Sequence, residues 1–153
     1  MELISKPGEP NVSIVKDPLA DIVDVVAFNQ YAGWQDGLPD KCSKVSWEIP
    51  CNKPAFISEF SGGAKQGFHG AKDQPWTEKF PEDLYRQTLP TLDEIDGLVG
   101  FTPWTLVDFR SPRRMLAGIQ DGFNRKGLIS SGGEKKKTFS VFQEYYRKRA
   151  ATP

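Results

Sequence analysis

Histidine is almost absent. His69 is the single imidazole in 153 residues, and one histidine cannot build a metal site alone. Cysteine is scarce as well. Cys42 and Cys51 are the only two, their spacing matches no zinc or redox motif, and they read as free thiols. An excess of either charge is missing too. Lys and Arg number 20, Asp and Glu number 20, and the formal net charge is zero. That balance removes the electrostatic case for nucleic acid or a membrane as partner. The basic residues Lys135 to Lys137 and Arg147 to Arg149 flank one amphipathic stretch and read as a solvated helix face. Long apolar runs are lacking. The opening MELISKPGEPNV holds no signal-peptide core, and no segment approaches the ~20 apolar residues of a membrane span. The compartment stays unknown, and no internal repeat or low-complexity tract is visible.

What is present is modest. Apolar residues make up 38% of the chain, enough for one ordinary domain over residues 1–153. There are four tryptophans and ten phenylalanines. Aromatic faces stack on the CH faces of sugars and on bases, and they also fill cores.

Strand signals fall at Asn11–Val15, at the almost continuously apolar Ile22–Phe28, at Pro54–Phe60 and at Leu98–Leu106. Helix signals fall at about Asp40–Glu48 (ended by Pro50), from near Pro81 to Gly97 with Pro90 as a kink or break, and at about Lys136–Lys148 with a face of Phe139, Phe142, Tyr145 and Tyr146. Residues 108–133 read as a long polar loop. This alternation predicts an α/β fold of parallel β/α units. In β/α barrels, one form such units take, the working face lies at the C-terminal ends of the strands. Asn29, Glu59 and Trp104 occupy that position. Glu59 is the most unexpected of them, a carboxylate closing the apolar strand KPAFISEF, where apolar neighbours penalise its charge.

Three segments resemble one family. FNQYAGW (28–34), ISEFSGGAKQGFHG (57–70), and WTLVDFRSP (104–112) followed by FNRKGL (123–128) occur in this order in glycoside hydrolase family 2, the β-glucuronidases, β-galactosidases and relatives. The resemblance implies a partial (β/α)8 TIM barrel of about four C-terminal β/α units, strands five to eight. It makes Glu59 the catalytic nucleophile of a retaining β-glycosidase, a carboxylate that forms a covalent glycosyl intermediate. It places Asn29, Tyr31 and Trp104 around the sugar, with the Tyr31 hydroxyl near the nucleophile and Trp104 flooring the subsite. It further implies a cis Trp104–Thr105 peptide bond. Asn124 and Lys126 resemble the N-x-K pair that holds a sugar carboxylate, which favours a β-glucuronide over a β-galactoside as the carbohydrate substrate. His69 reads as loop architecture. Arg113 and Arg114 either reach the substrate rim or pair with Asp108 or Asp121. No cofactor and no metal are implied.

The sequence also departs from that family. Its acid/base glutamate lies in an N-E pair on the fourth strand, and no N-E pair occurs here: the asparagines are followed by Val12, Gln30, Lys53 and Arg125. Glu2 and Glu9 lie too early to substitute, and Asp24, Glu48 and Asp108 have no spacing that recommends them. The expectation is therefore a fragment, the C-terminal half of a glycosidase barrel without accessory β domains. Its open edges would call for a complementary half-barrel chain or self-association. The alternative is a catalytically silent sugar-binding or assembly fragment.

Overall fold

The computed structural model describes residues 1–49 and 52–151. The predicted thiol Cys51 and helix stop Pro50 lie outside that range. The chain divides into two compact units, one of Met1–Phe60 with Gln87–Pro103, the other of Ser61–Arg86 with the chain from Trp104 onward.

The first unit opens on a hairpin. β1 (Leu3–Lys6) pairs antiparallel with β2 (Glu9–Val15). Pro7 and Gly8 make the turn; Gly8 sits at φ +80°, where a Cβ would be disfavoured. β2 was expected from the sequence, but β1 was not. After a short 3-10 turn at Pro18–Asp21, β3 runs Val26–Gln30. The predicted strand from Ile22 begins four residues late, because Ile22 caps that turn and is exposed. The helix predicted over residues 40–48 does not form. A 3-10 turn covers Pro39–Lys44, and Val45 leaves it in extended backbone to start β4 (Ser46–Glu48), which lies parallel to β2. The β-prone Val45 and Trp47 outweigh the weak helical pattern there.

The core of this unit is a second sheet. β5 (Ala55–Phe60) lies between β3 and β6 (Leu98–Pro103), and both pairings are parallel. Val26, Phe28, Ala55, Ile57 and Phe60 are all completely buried, each larger side chain contributing about 1.5–3 kcal/mol of burial. Phe60 meets Phe101 edge to face at 5.6 Å. Three consecutive parallel strands are the α/β pattern the sequence predicted.

α1 (Lys79–Leu92) belongs to both units and runs through Pro90 without ending. Pro90 lies in the last turn, so its missing N–H removes a single bond, the one to the Arg86 carbonyl, and leaves the preceding turns intact. In the second unit the stretch expected as an irregular loop holds a short antiparallel pair, β7 (Phe109–Arg110) with β8 (Phe123–Asn124). The guanidinium groups of Arg110 and Arg125 lie 5.1 and 4.5 Å from the Phe123 ring centre, a favourable placement for cations on an aromatic face. α2 (Lys137–Ala151) buries Thr138, Val141 and Phe142, with Phe142 edge-on to Tyr85 at 4.8 Å. Tyr146, predicted on the buried stripe, is half exposed. No helix among the described residues is long and apolar enough to cross a membrane.

Candidate active site

The position of Glu59 follows from the register of its strand. Along β5 the buried residues are Ala55 and Ile57, and strict alternation would bury residue 59 next. Instead Phe60 is buried and Glu59 is only partly covered. The pairing explains this. Phe28 faces Ile57, yet Asn29 faces Glu59, so β5 carries one extra residue, Ser58; the β6 pairing shifts at the same place. A bulge of this kind flips the phase of the strand and re-aims its side chains. It sends Phe60 into the core and lifts the carboxylate off it.

Polar contacts pin the bulge. The Ser58 hydroxyl donates to Asn29 Oδ1 at 2.7 Å, and the Thr102 hydroxyl donates to the Ser58 carbonyl at 2.5 Å. A row of polar groups thus crosses all three parallel strands. Ser58 and Thr102 were missed from the sequence; their alternation with buried neighbours was legible, but not their level in the sheet. The Tyr31 hydroxyl donates to Glu59 Oε1. Tyr31 is held by the turn that follows it, its carbonyl accepting from the N–H groups of Trp34 and Gln35. Gly33, at φ +77°, leaves no room for a side chain, since a Cβ would stand 2.5 Å from Cys42 Sγ. The buried Cys42 thiol donates to the Ala32 carbonyl. A cleft of about 280 Å³ in this unit is lined by Asn29, Tyr31, Gln35, Asp36, Lys41 and Trp47, among others.

The second unit holds Trp104, Asn124 and Lys126. The Trp104–Thr105 bond is cis, as the family resemblance implied. The indole is partly exposed and meets Phe109 edge to face at 6.1 Å. The Thr105 N–H donates to the Lys126 carbonyl at 3.1 Å, and Leu128 N–H returns to the Thr105 carbonyl at 3.0 Å. That ladder brings the segment after Trp104 against the one carrying Asn124 and Lys126. Asn124 Oδ1 accepts from the Lys126 N–H at 3.1 Å, and both residues are buried.

Behind that segment lies a buried charge cluster. Lys136, expected on a solvated face, is 2% exposed. Its ammonium donates to Asp108 Oδ1 at 2.7 Å, to the Ala64 carbonyl at 2.7 Å and to the Arg125 carbonyl at 3.1 Å. Asp108 Oδ1 also accepts from Gly127 N–H at 2.8 Å, and Arg125 Nη1 lies 3.7 Å from Asp108 Oδ2. Burial pushes the Asp108 carboxyl up and the Lys136 ammonium down; their attraction for each other opposes both movements. Asp108 therefore pairs with Lys136 and Arg125 rather than with Arg113 or Arg114, both of which are exposed. No periodicity flags Lys136, which lies just before α2 and has a half-buried residue and an exposed one, Phe139 and Ser140, at helical spacing from it. Nearby, Glu78 accepts from Gly67 N–H at 2.7 Å and from Lys137 N–H at 2.9 Å, capping the first turn of α2. His69 is exposed in this same loop. Asp24 is exposed, and Glu48 is paired with Lys6 at 2.7 Å. Among the described residues there is no group of three side chains that could hold a metal ion.

No protein-family model matches the chain. It is 30% identical, over 139 residues, to a protein named Beta-glucuronidase from Streptococcus agalactiae serotype V, an alignment spanning 84% of this chain and 22% of that relative. Among solved structures it resembles the β-glucuronidase of Bifidobacterium dentium complexed with coumarin-3-O-glucuronide, with a TM-score of 0.68, 24% identity, and 93% of this chain on 24% of the other. It also resembles the GH2 β-galacturonidase of Eisenbergiella tayi bound to galacturonate, with a TM-score of 0.68, 21% identity, and 82% of this chain on 24% of the other. The chain thus spans about a fifth of the curated relative and about a quarter of the solved chains. It is similar in sequence to a protein named Beta-glucuronidase, and it shares its fold with part of the solved GH2 enzymes.

Proposed function

We propose that this chain carries the nucleophile side of a retaining β-glycosidase acting on β-glucuronides, within a partial (β/α)8 barrel. Glu59 is the nucleophile. One of its oxygens attacks the anomeric carbon, the bond from that carbon to the aglycone oxygen breaks, and the aglycone leaves with the electron pair. Water then hydrolyses the glycosyl ester and regenerates the carboxylate. The observation that carries this reading is the Glu59 carboxylate itself, lifted off the core by a bulge at the C-terminal end of a parallel strand and hydrogen-bonded by the Tyr31 hydroxyl. Asn29, held by Ser58, and Trp104 line the sugar. Asn124 and Lys126 read its carboxylate, an amide and an ammonium being suited to that group. The relatives' names support the uronide over the β-galactoside.

One observation favours a second reading. The sequence has no N-E pair to supply the acid/base, so the chain as it stands can bind sugar without turnover. Activated aryl β-glucuronides and β-galactosides separate the two, because a good leaving group needs little acid assistance. A burst of phenol with mass added at Glu59, abolished in Glu59→Gln, is the expected result. Saturable sugar binding without label supports the silent reading, and neither binding nor label sinks both. Lys126→Ala is expected to weaken glucuronides more than galactosides. Equal losses would remove the carboxylate-reading role.

A further inference from the structure

We infer that Lys136 and Asp108 are positioning residues that fix Lys126, and through it the preference for an acidic sugar. The inference rests on the reading of Lys126 proposed above. Its basis is the backbone on either side of that residue. Lys136 holds the carbonyl of Arg125, and Asp108 holds the N–H of Gly127. Asn124 takes the N–H of Lys126, and Thr105 donates to its carbonyl. Every polar group of the backbone from the Arg125 carbonyl to the Gly127 N–H is therefore bound. One ammonium and one carboxylate oxygen, joined at 2.7 Å, supply the two outer holds.

The ammonium is used completely. Its three protons meet three acceptors, so it has none left for a ligand. Gly127 shows how close the approach is: a Cβ there would stand 2.2 Å from the Asp108 nitrogen. A buried ion pair is a costly device if stability alone is the purpose. It is well suited to holding a loop segment in one place, because its hydrogen bonds are short and directional.

The test uses the full chain and the neutral pair Asp108→Asn/Lys136→Met, which keeps the volume and removes both charges. Lys136→Met alone is the harsher variant. Two readouts are taken: amide hydrogen exchange at Lys126 and Gly127 relative to the amides of α2, and the affinity ratio of glucuronate to glucose by NMR titration. In the neutral pair, exchange at those two amides is expected to quicken about tenfold or more while α2 is unchanged, and the uronate preference to fall about tenfold. In a Lys126→Ala background the same change is expected to cost no further preference, since the effect runs through Lys126. Unchanged exchange overturns the inference, as does an undiminished effect without Lys126 or failure of the neutral pair to fold. If exchange responds but the unaltered chain shows no preference for glucuronate, the carboxylate-reading role fails while the hold on Lys126 stands.

Discussion

The two units hold their candidate groups by different means. In the first, Asn29, Tyr31 and Glu59 stand on or just beyond parallel strands, and a one-residue shift in register decides where the carboxylate points. Behind them is an apolar layer. In the second, Asn124 and Lys126 sit on a segment with only two residues of β8 to support it, and the support comes from Asp108 and Lys136, two charges buried together. A sheet positions a side chain through repeated hydrogen bonds and burial, so no single polar contact is critical to it. A loop without that repetition needs a few strong, directed contacts, and each then matters more. The first unit should tolerate polar changes and suffer from apolar ones; the second should do the reverse.

Asp108→Ala is expected to produce the largest loss. It leaves the Lys136 ammonium buried without its partner, costing roughly 3–5 kcal/mol in denaturant unfolding. Ile57→Ala, in the sheet, empties a completely buried site and should cost about 2–5 kcal/mol. If Asp108→Ala proved milder than a polar change in the sheet such as Thr102→Val, the contrast between the units would fail. Gly127→Ala comes next. The added methyl meets backbone at 2.2 Å, which should cost about 1–3 kcal/mol and weaken uronate binding, whereas Gly67→Ala meets open space but strains its positive φ. Tyr31→Phe removes a donor at the edge of the first unit. Stability should move by under ~1 kcal/mol while labelling of Glu59 slows roughly tenfold. A matching loss of stability would assign Tyr31 to packing instead.

The smallest expected effect concerns pH. The Ser130 hydroxyl donates to Glu134 and holds its carboxyl below the ordinary value. The folded state therefore binds the proton less readily than the unfolded chain. The stability this contributes is present above the unfolded value of 4.5 and is lost as pH falls through the lower folded value. The difference in Tm between the unaltered chain and Glu134→Gln should accordingly be small at neutral pH and vanish in acid. A difference that persists in acid would assign the effect to something other than titration.

Much of this arrangement was legible in the chain. The strands predicted at Ile22–Phe28, Pro54–Phe60 and Leu98–Leu106 formed as a parallel sheet, with bounds of Val26–Gln30, Ala55–Phe60 and Leu98–Pro103, and their parallel pairing follows from their alternation with helical patterns. Glu59 stood out because a carboxylate at the end of an apolar strand conflicts with its neighbours. The cis bond after Trp104 followed from family resemblance rather than from any local rule. Lys136 was misread because a run of three lysines looks solvated on composition alone, and its partner Asp108 lies 28 residues away.

The sequence by itself determined the three strands of the parallel sheet and which residue types could carry the chemistry, because those follow from period, propensity and local motif. Only the tertiary structure decided the phase flip at Ser58 that frees Glu59, the Tyr31 hydrogen bond across β3 and β5, and the burial of Lys136 against Asp108. Each of these depends on distant segments meeting at a particular level, and a charge can be buried only where a partner from elsewhere in the chain is already in place.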